Sequence, residues 1–189
     1  MAGHPDFLFE LGRCVLTNYT DNDQLPEIPF DTVDLMFRNC RLSTLPKLNV
    51  DLQILRFDNC NREMITIPLV LPRLCQLSIW NCQDIVEFPQ NINGVNNLTI
   101  ISVENCPNLI ITNPSVFDKI NILFLKNTGI THLPSIKVKT LMLYQNSLRQ
   151  IDYLPNIETI NVSSNDYEHI RSIVDNRNVN SVNVNDRYN

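Results

Sequence analysis

Apolar and polar residues recur along this chain at fixed offsets. From Ile120 the order INILFLKNTGI places Ile120, Leu123, Leu125 and Ile130 at the first, fourth, sixth and eleventh positions, with polar Thr128 at the ninth. Val138 to Leu148 (VKTLMLYQNSL) and Ile157 to Tyr167 (IETINVSSNDY) keep the spacing, with Asn146 and Asn165 at the ninth position. Towards the N-terminus the same frame starts at Leu98, Leu74, Leu52 and Thr32, with a weaker copy at Leu11; a truncated copy starts at Val179. The starts lie about 20 residues apart, a period that belongs to stacked repeats rather than to one irregular core.

Within each copy the apolar residues two apart predict a short strand. Successive side chains of a strand point to opposite faces, so the fourth and sixth positions share one face and the residues around them share the other. The inward set is Leu35 and Phe37, Leu55 and Phe57, Leu77 and Ile79, Ile101 and Val103, Leu123 and Leu125, Leu141 and Leu143, and Ile160 and Val162. Cys14 takes an inward place in the Leu11 copy. One copy cannot bury its apolar face alone; stacking does so, at roughly 1.5–3 kcal/mol per fully buried large aliphatic side chain.

The order of these positions resembles the leucine-rich repeat, L-x-x-L-x-L-x-x-N/C-x-L. The resemblance implies a solenoid of horseshoe form with a parallel β-sheet on its concave face and about nine repeats. It implies one domain over residues 1–189: a covering segment at 1–10, repeats at 11–178, and a terminal strand or weak cap at 179–189. Repeats this short resemble the bacterial and viral members more than the helix-backed long class.

The return segments carry a second signal, an apolar residue before proline: Leu25-Pro26, Leu45-Pro46, Ile67-Pro68, Phe88-Pro89, Leu133-Pro134 and Leu154-Pro155. Proline lacks an N–H and biases its predecessor towards extended backbone, so these segments are expected to be extended, irregular or short 3-10 turns. Single helical turns are expected at Pro114 to Lys119 and at Glu168 to Asp175. Asp6 to Glu10 is expected to form a strand whose Phe7 and Phe9 shield the first repeat. An exposed edge at either end can pair with a second copy, which makes a homodimer one expectation.

Of the six cysteines, Cys40, Cys60, Cys82 and Cys106 fall at the ninth position. Strand stacking puts them in a line roughly 4.8 Å apart, whereas a zinc site needs a tetrahedron, so buried free thiols are expected, Cys14 and Cys75 included. A thiol is a weak donor and an Asn amide a strong one, so the cysteine half is expected to hold its turns by packing and the asparagine half by hydrogen bonds. Asn39, Asn59, Asn81, Asn105 and Asn127 precede the ninth position in a second column. Asn tolerates left-handed backbone in turns, and the column can also build an amide ladder along the rim of the sheet.

Composition narrows the function classes. The net charge of −5 and the lack of a basic run argue against nucleic-acid binding. No apolar run is long enough to span a membrane, and MAGHPDFLFE lacks the positive n-region of a secretory signal, so a cytoplasmic protein is expected. Sequons at Asn18, Asn97 and Asn161 point the other way, but coincidence suffices in so Asn-rich a chain. The single Ala and abundant Asn and Ile are what an AT-rich genome encodes, such as that of a large virus or parasite, for which the host cytoplasm is the expected place. His4, His132 and His169 lack metal-site spacing, and neither a nucleophile elbow nor a phosphate-binding glycine loop is present among only four glycines. No enzyme activity, cofactor or metal is expected.

Function should then lie on the outward face of the sheet. One outward column reads Val15, Met36, Arg56, Ser78, Ser102, Phe124, Met142, Asn161 and Asn183; the next reads Thr17, Arg38, Asp58, Trp80, Glu104, Lys126, Tyr144, Ser163 and Asn185. Exposed aromatic residues and Met on a rigid sheet are the composition of interface hot spots. The candidate partner-binding residues are Trp80, Phe124, Met142 and Tyr144, with Arg56, Lys126, Arg38 and Glu104. The expected function is a non-catalytic protein-interaction module, in its most pointed form a pathogen effector acting on a host protein. Alternatives are a component self-assembling through its ends, or the substrate-recognition subunit of a ubiquitin ligase.

Overall fold

In a computed structural model of the protein, residues 3–61, 71–88, 92, 94–174 and 179–185 are described. Among the described residues ten strands form one sheet. These are β1 (Asp6–Glu10), β2 (Arg13–Thr17), β3 (Asp34–Arg38), β4 (Ile54–Asp58), β5 (Gln76–Trp80), β6 (Ile100–Glu104) and β7 (Ile122–Lys126), followed by β9 (Thr140–Tyr144), β11 (Thr159–Val162) and β12 (Ser181–Val184). Two short strands, β8 (His132–Leu133) and β10 (Gln150–Ile151), pair in parallel as a second sheet on the return side. From β2 onward every pair in the large sheet is parallel, and the order in space is the order in sequence. The chain is a β-solenoid of about seven turns with little helix.

The register follows the repeat frame. Leu35 pairs with Leu55, Leu55 with Leu77, Leu77 with Ile101, Ile101 with Leu123, Leu123 with Leu141, and Leu141 with Ile160. All fourteen inward residues named from the sequence are buried, as are the first-position residues from Thr32 to Ile157. Thr32 fills its apolar slot at a cost, because its hydroxyl finds no hydrogen-bond partner. The ends depart from the frame. Leu11 is 95% exposed and sits with Gly12 at positive φ in the loop joining β1 to β2, so it starts no buried repeat. β1 runs antiparallel to β2 and lays Phe7 and Phe9 against the core, as expected of a covering strand.

Each strand from β2 to β7 leaves the sheet through an Asn. Asn18, Asn39, Asn59, Asn81, Asn105 and Asn127 all have positive φ, as does Gln145 at the equivalent place after β9. The left-handed turn swings the chain out of the sheet while the amide N–H still bonds the next strand: Asn39 N donates to Asp58 O and Asn59 N to Trp80 O, both at 2.8 Å. Asn is the non-glycine residue best suited to that backbone. Gly129, two residues beyond Asn127, lies so close to the Pro107 carbonyl that a Cβ there would collide with it.

Among the described residues the return side is mostly turns, bends and irregular chain, with 3-10 backbone at Ile92 and Gly94 and a 3-10 turn at Pro114–Phe117, the latter capped by Asn113, whose Oδ1 accepts from Ser115 N. Leu133 and Leu154 of the apolar-proline pairs are buried and Leu25 and Leu45 partly so; Ile67-Pro68 and Pro89 lie outside the described residues. The helical turn expected from Glu168 is instead a helix of 11 residues, α1 (Ser164–Val174), which begins before Glu168; Asp175 lies outside the described residues. Ser163 explains the earlier start. Its Oγ bonds Asp166 Oδ2 at 2.7 Å and accepts from Asp166 N at 3.3 Å, an N-terminal cap that the strand-like frame conceals.

Candidate interaction face

The outward residues of the sheet start from the same two-residue alternation that builds the core. Because the strands are in register, position five of each coil stacks on position five of the next: Arg56 on Ser78, Ser78 on Ser102, Ser102 on Phe124, Phe124 on Met142, and Met142 on Asn161. Position seven gives Arg38, Asp58, Trp80, Glu104, Lys126 and Tyr144 as a second column. The face therefore has fixed spacing before any side chain is considered.

Its charges from β3 to β7 are paired. Arg56 grips Asp34 with both arms of its guanidinium, Nε to Oδ1 at 2.8 Å and a terminal nitrogen to Oδ2 at 3.1 Å, and lies 5.6 Å from the Trp80 ring centroid. Arg38 Nε meets Asp58 Oδ2 at 3.2 Å, and Lys126 Nζ meets Glu104 Oε1 at 2.9 Å. Partly exposed pairs of this kind contribute little to stability, about 0–1 kcal/mol each, but they fix where the charged groups stand. Between them Trp80, Phe124 and Met142 are half-buried, each with one side in the sheet and one towards solvent.

Four outward places are closed. Tyr144 is only 4% exposed, so it is not an open contact residue as the sequence suggested: its ring lies 5.7 Å from that of Phe124, and beyond it the next coil turns into α1 at Ser163, itself buried. Met36 is covered by two arginines, with terminal nitrogens of Arg38 and Arg13 at 3.7 and 3.8 Å from its sulfur. Ser78 is buried and bonded to Gln76 Nε2 at 3.2 Å. Alternation tells which side of the sheet a residue occupies; it does not tell how its neighbours cover it.

Along the rim the asparagines form the ladder. Asn39 Nδ2 donates to Asn18 Oδ1 at 3.2 Å, and Asn59 to Asn39, Asn105 to Asn81 and Asn127 to Asn105 each at 2.9 Å. One step is diverted: Asn81 Nδ2 donates to Asp58 Oδ1 at 2.7 Å, and Asn59 Oδ1 accepts from Arg41 instead. The residues thus combine a turn role with a side-chain ladder.

The ninth-position column runs beneath this rim. Cys40, Cys60, Cys82 and Cys106 are free and buried, and their thiols donate to strand carbonyls: Cys60 Sγ to Phe37 O at 3.4 Å, Cys82 Sγ to Trp80 O at 3.1 Å and Cys106 Sγ to Glu104 O at 3.4 Å. The cysteine half therefore adds weak hydrogen bonds to its packing. Burial pushes Cys14 and Cys82 up to about 11 and Cys106 to about 12. The bond between the Cys40 and Cys60 side chains, and then burial, raise Cys60 further, while that same bond lowers Cys40. Cys75 differs from the expectation, being half-buried rather than enclosed.

In the later coils the column changes chemistry. Asn146 Oδ1 accepts from Thr128 N at 3.1 Å and Thr128 Oγ1 at 2.7 Å, while its Nδ2 donates to Leu125 O at 3.0 Å. The next member is Asp166, not Asn165: Asn165 is exposed, whereas both Asp166 carboxylate oxygens accept from Asn146 N, at 3.1 and 3.2 Å. Beginning α1 at Ser164 shifts the inward place by one residue. Among the described residues no group of three His, Cys, Asp or Glu is arranged to hold a metal ion, and no helix is long and apolar enough to cross a membrane.

No protein-family model matches this chain, and no curated protein does either. What the face can do has to be argued from its geometry. The sheet offers ring surface at Trp80 and ring and thioether surface at Phe124 and Met142, among charges already held by partners, so binding there would immobilise few further side chains.

Proposed function

We propose that this protein is a non-catalytic interaction module of the leucine-rich-repeat type, which binds a partner protein on the outward face of its sheet. The repeat assignment draws support from the in-register first, fourth and sixth positions and from the polar ninth-position column. The observation that carries the binding reading is the partly exposed set of Trp80 on β5 and the adjoining Phe124 and Met142 on β7 and β9, on a sheet whose neighbouring charges are already paired. Arg38, Arg56, Glu104 and Lys126 supply the polar border, and Tyr144 serves as the support against which Phe124 is held. Such aromatic and Met surface, rimmed by charge, is the composition of contact hot spots.

The test is affinity capture from a cell extract with the wild-type chain beside Trp80→Ala/Phe124→Ala, leaving Tyr144 untouched because its removal would open the core. Loss of two hot-spot side chains should weaken a captured partner by at least about thirtyfold. Circular dichroism should show the same fold in both proteins. Retention of every specific partner by the variant would overturn the proposed face.

A further inference from the structure

The first strand carries a second surface with its own chemistry. β1 lies at one end of the sheet and bonds only β2 among the described residues. The loop between them is the two-residue Leu11-Gly12, with φ of 50° and 77°, so Glu10 and Arg13 are a hydrogen-bonded pair. Alternation then sends the backbone groups of Leu8 and Asp6 towards β2 as well. The N–H and C=O groups of Phe7 and Phe9 point the other way, along an edge with no strand beside it among the described residues.

The side chains above that edge are specific. Asp6, Leu8 and Glu10 share the outward face of the sheet and border a hollow of about 520 Å³ that Leu11, Val15 and Thr17 also line, together with Arg13 and Arg38, whose guanidinium groups are already held by Asp34 and Asp58. Leu8 is 55% exposed, and neither Asp6 nor Glu10 has an ion-pair partner among the described residues. A second copy of β1 is a poor occupant. Two-fold antiparallel pairing about Leu8 would set Asp6 opposite the other copy's Glu10 twice over, four carboxylates on one face, and like charges directly opposite are destabilising.

We propose that the free edge of β1 accepts an extended basic peptide of the pattern cation-x-apolar-x-cation, added antiparallel as a further strand. Its two cations meet Glu10 and Asp6, its central apolar side chain lies against Leu8 over the hollow, and its intervening residues exchange main-chain bonds with Phe7 and Phe9. Main-chain bonding supplies the attachment and the alternate side chains supply the selectivity. The surface does not depend on Trp80 or Phe124, so it stands or falls separately from the outward-face reading.

The probe is a fluorescent peptide, acetyl-Ser-Lys-Thr-Leu-Thr-Lys-Ser-amide, titrated against the full chain by anisotropy, with amide hydrogen exchange read residue by residue. Saturable binding is expected, with slowed exchange at Phe7 and Phe9 and little change at Leu8, whose amide already bonds β2. The Lys→Glu peptide should fail to bind, Asp6→Lys/Glu10→Lys should weaken the parent peptide by about tenfold or more, and raised salt should weaken it too. Methylating the two threonine amides of the peptide removes the donors aimed at β1 and should abolish binding while leaving the protein unaltered. The proposal is overturned if the parent peptide does not bind, or if the charge-reversed or methylated peptide binds as well as the parent. Protection of Phe7 and Phe9 that rises with protein concentration alone would also overturn it, since the occupant would then be a second copy.

Discussion

At the scale of single residues, the ninth position shows how one slot tolerates different chemistries at different cost. Asn146 joins three buried groups of neighbouring coils, the Thr128 N–H, the Thr128 hydroxyl and the Leu125 carbonyl. Truncating it removes the acceptor of the buried Thr128 N–H and hydroxyl, each a loss on the order of 1–3 kcal/mol, and the extra bond to the Leu125 carbonyl. Cys60 makes only weak sulfur bonds to Phe37 O and Asp58 O, at 3.4 and 3.6 Å, and its truncation chiefly opens a small void. Asn146→Ala should therefore destabilise by about 3 kcal/mol and Cys60→Ala by about 1 kcal/mol. Urea titration of the two variants checks this, and equal losses would count against the polar column as a structural element.

At the scale of elements, the hairpin of β1 and β2 departs most clearly from the repeat. A loop with both central residues at positive φ favours Asn-Gly, yet the first place is Leu11, with its side chain in water. Leu11→Asn removes steric strain from the left-handed backbone and exposed apolar surface in one change. It should raise stability by about 1 kcal/mol without altering the fold. Thermal unfolding measures this; an unchanged or lower midpoint would mean that Leu11 makes a contact worth more than its strain. The hairpin was legible as a covering strand because Phe7 and Phe9 alternate with Asp6, Leu8 and Glu10. Its antiparallel direction was not legible, since alternation sets the face each side chain takes and not the direction in which the strand pairs.

For the whole molecule, stacking in one dimension makes stability a sum of coil and interface contributions. β5, β6 and β7 are each flanked by full five-residue neighbours, whereas β12 has four residues, a single paired side among the described residues and an exposed Val184. Amide hydrogen exchange should accordingly be fastest in β12 and slowest in β5 to β7, with protection falling towards that end. A single exchange rate across all strands would instead indicate that the solenoid opens only as one unit.

What the sequence determined by itself was the coil. Two-residue alternation and a near-constant period suffice to assign the inward positions of the strands, because a parallel in-register sheet repeats the same environment at each level. The turn-exit asparagines were legible for a related reason, since few other residues accept left-handed backbone. The tertiary structure alone decided coverage. Tyr144 and Ser163 are closed off where α1 begins, Met36 lies beneath Arg13 and Arg38, and Asp166 takes the inward place assigned to Asn165. Position in a strand is set by the local backbone, but exposure is set by the bulk and partners of side chains about 20 residues away in either direction, which no local pattern contains.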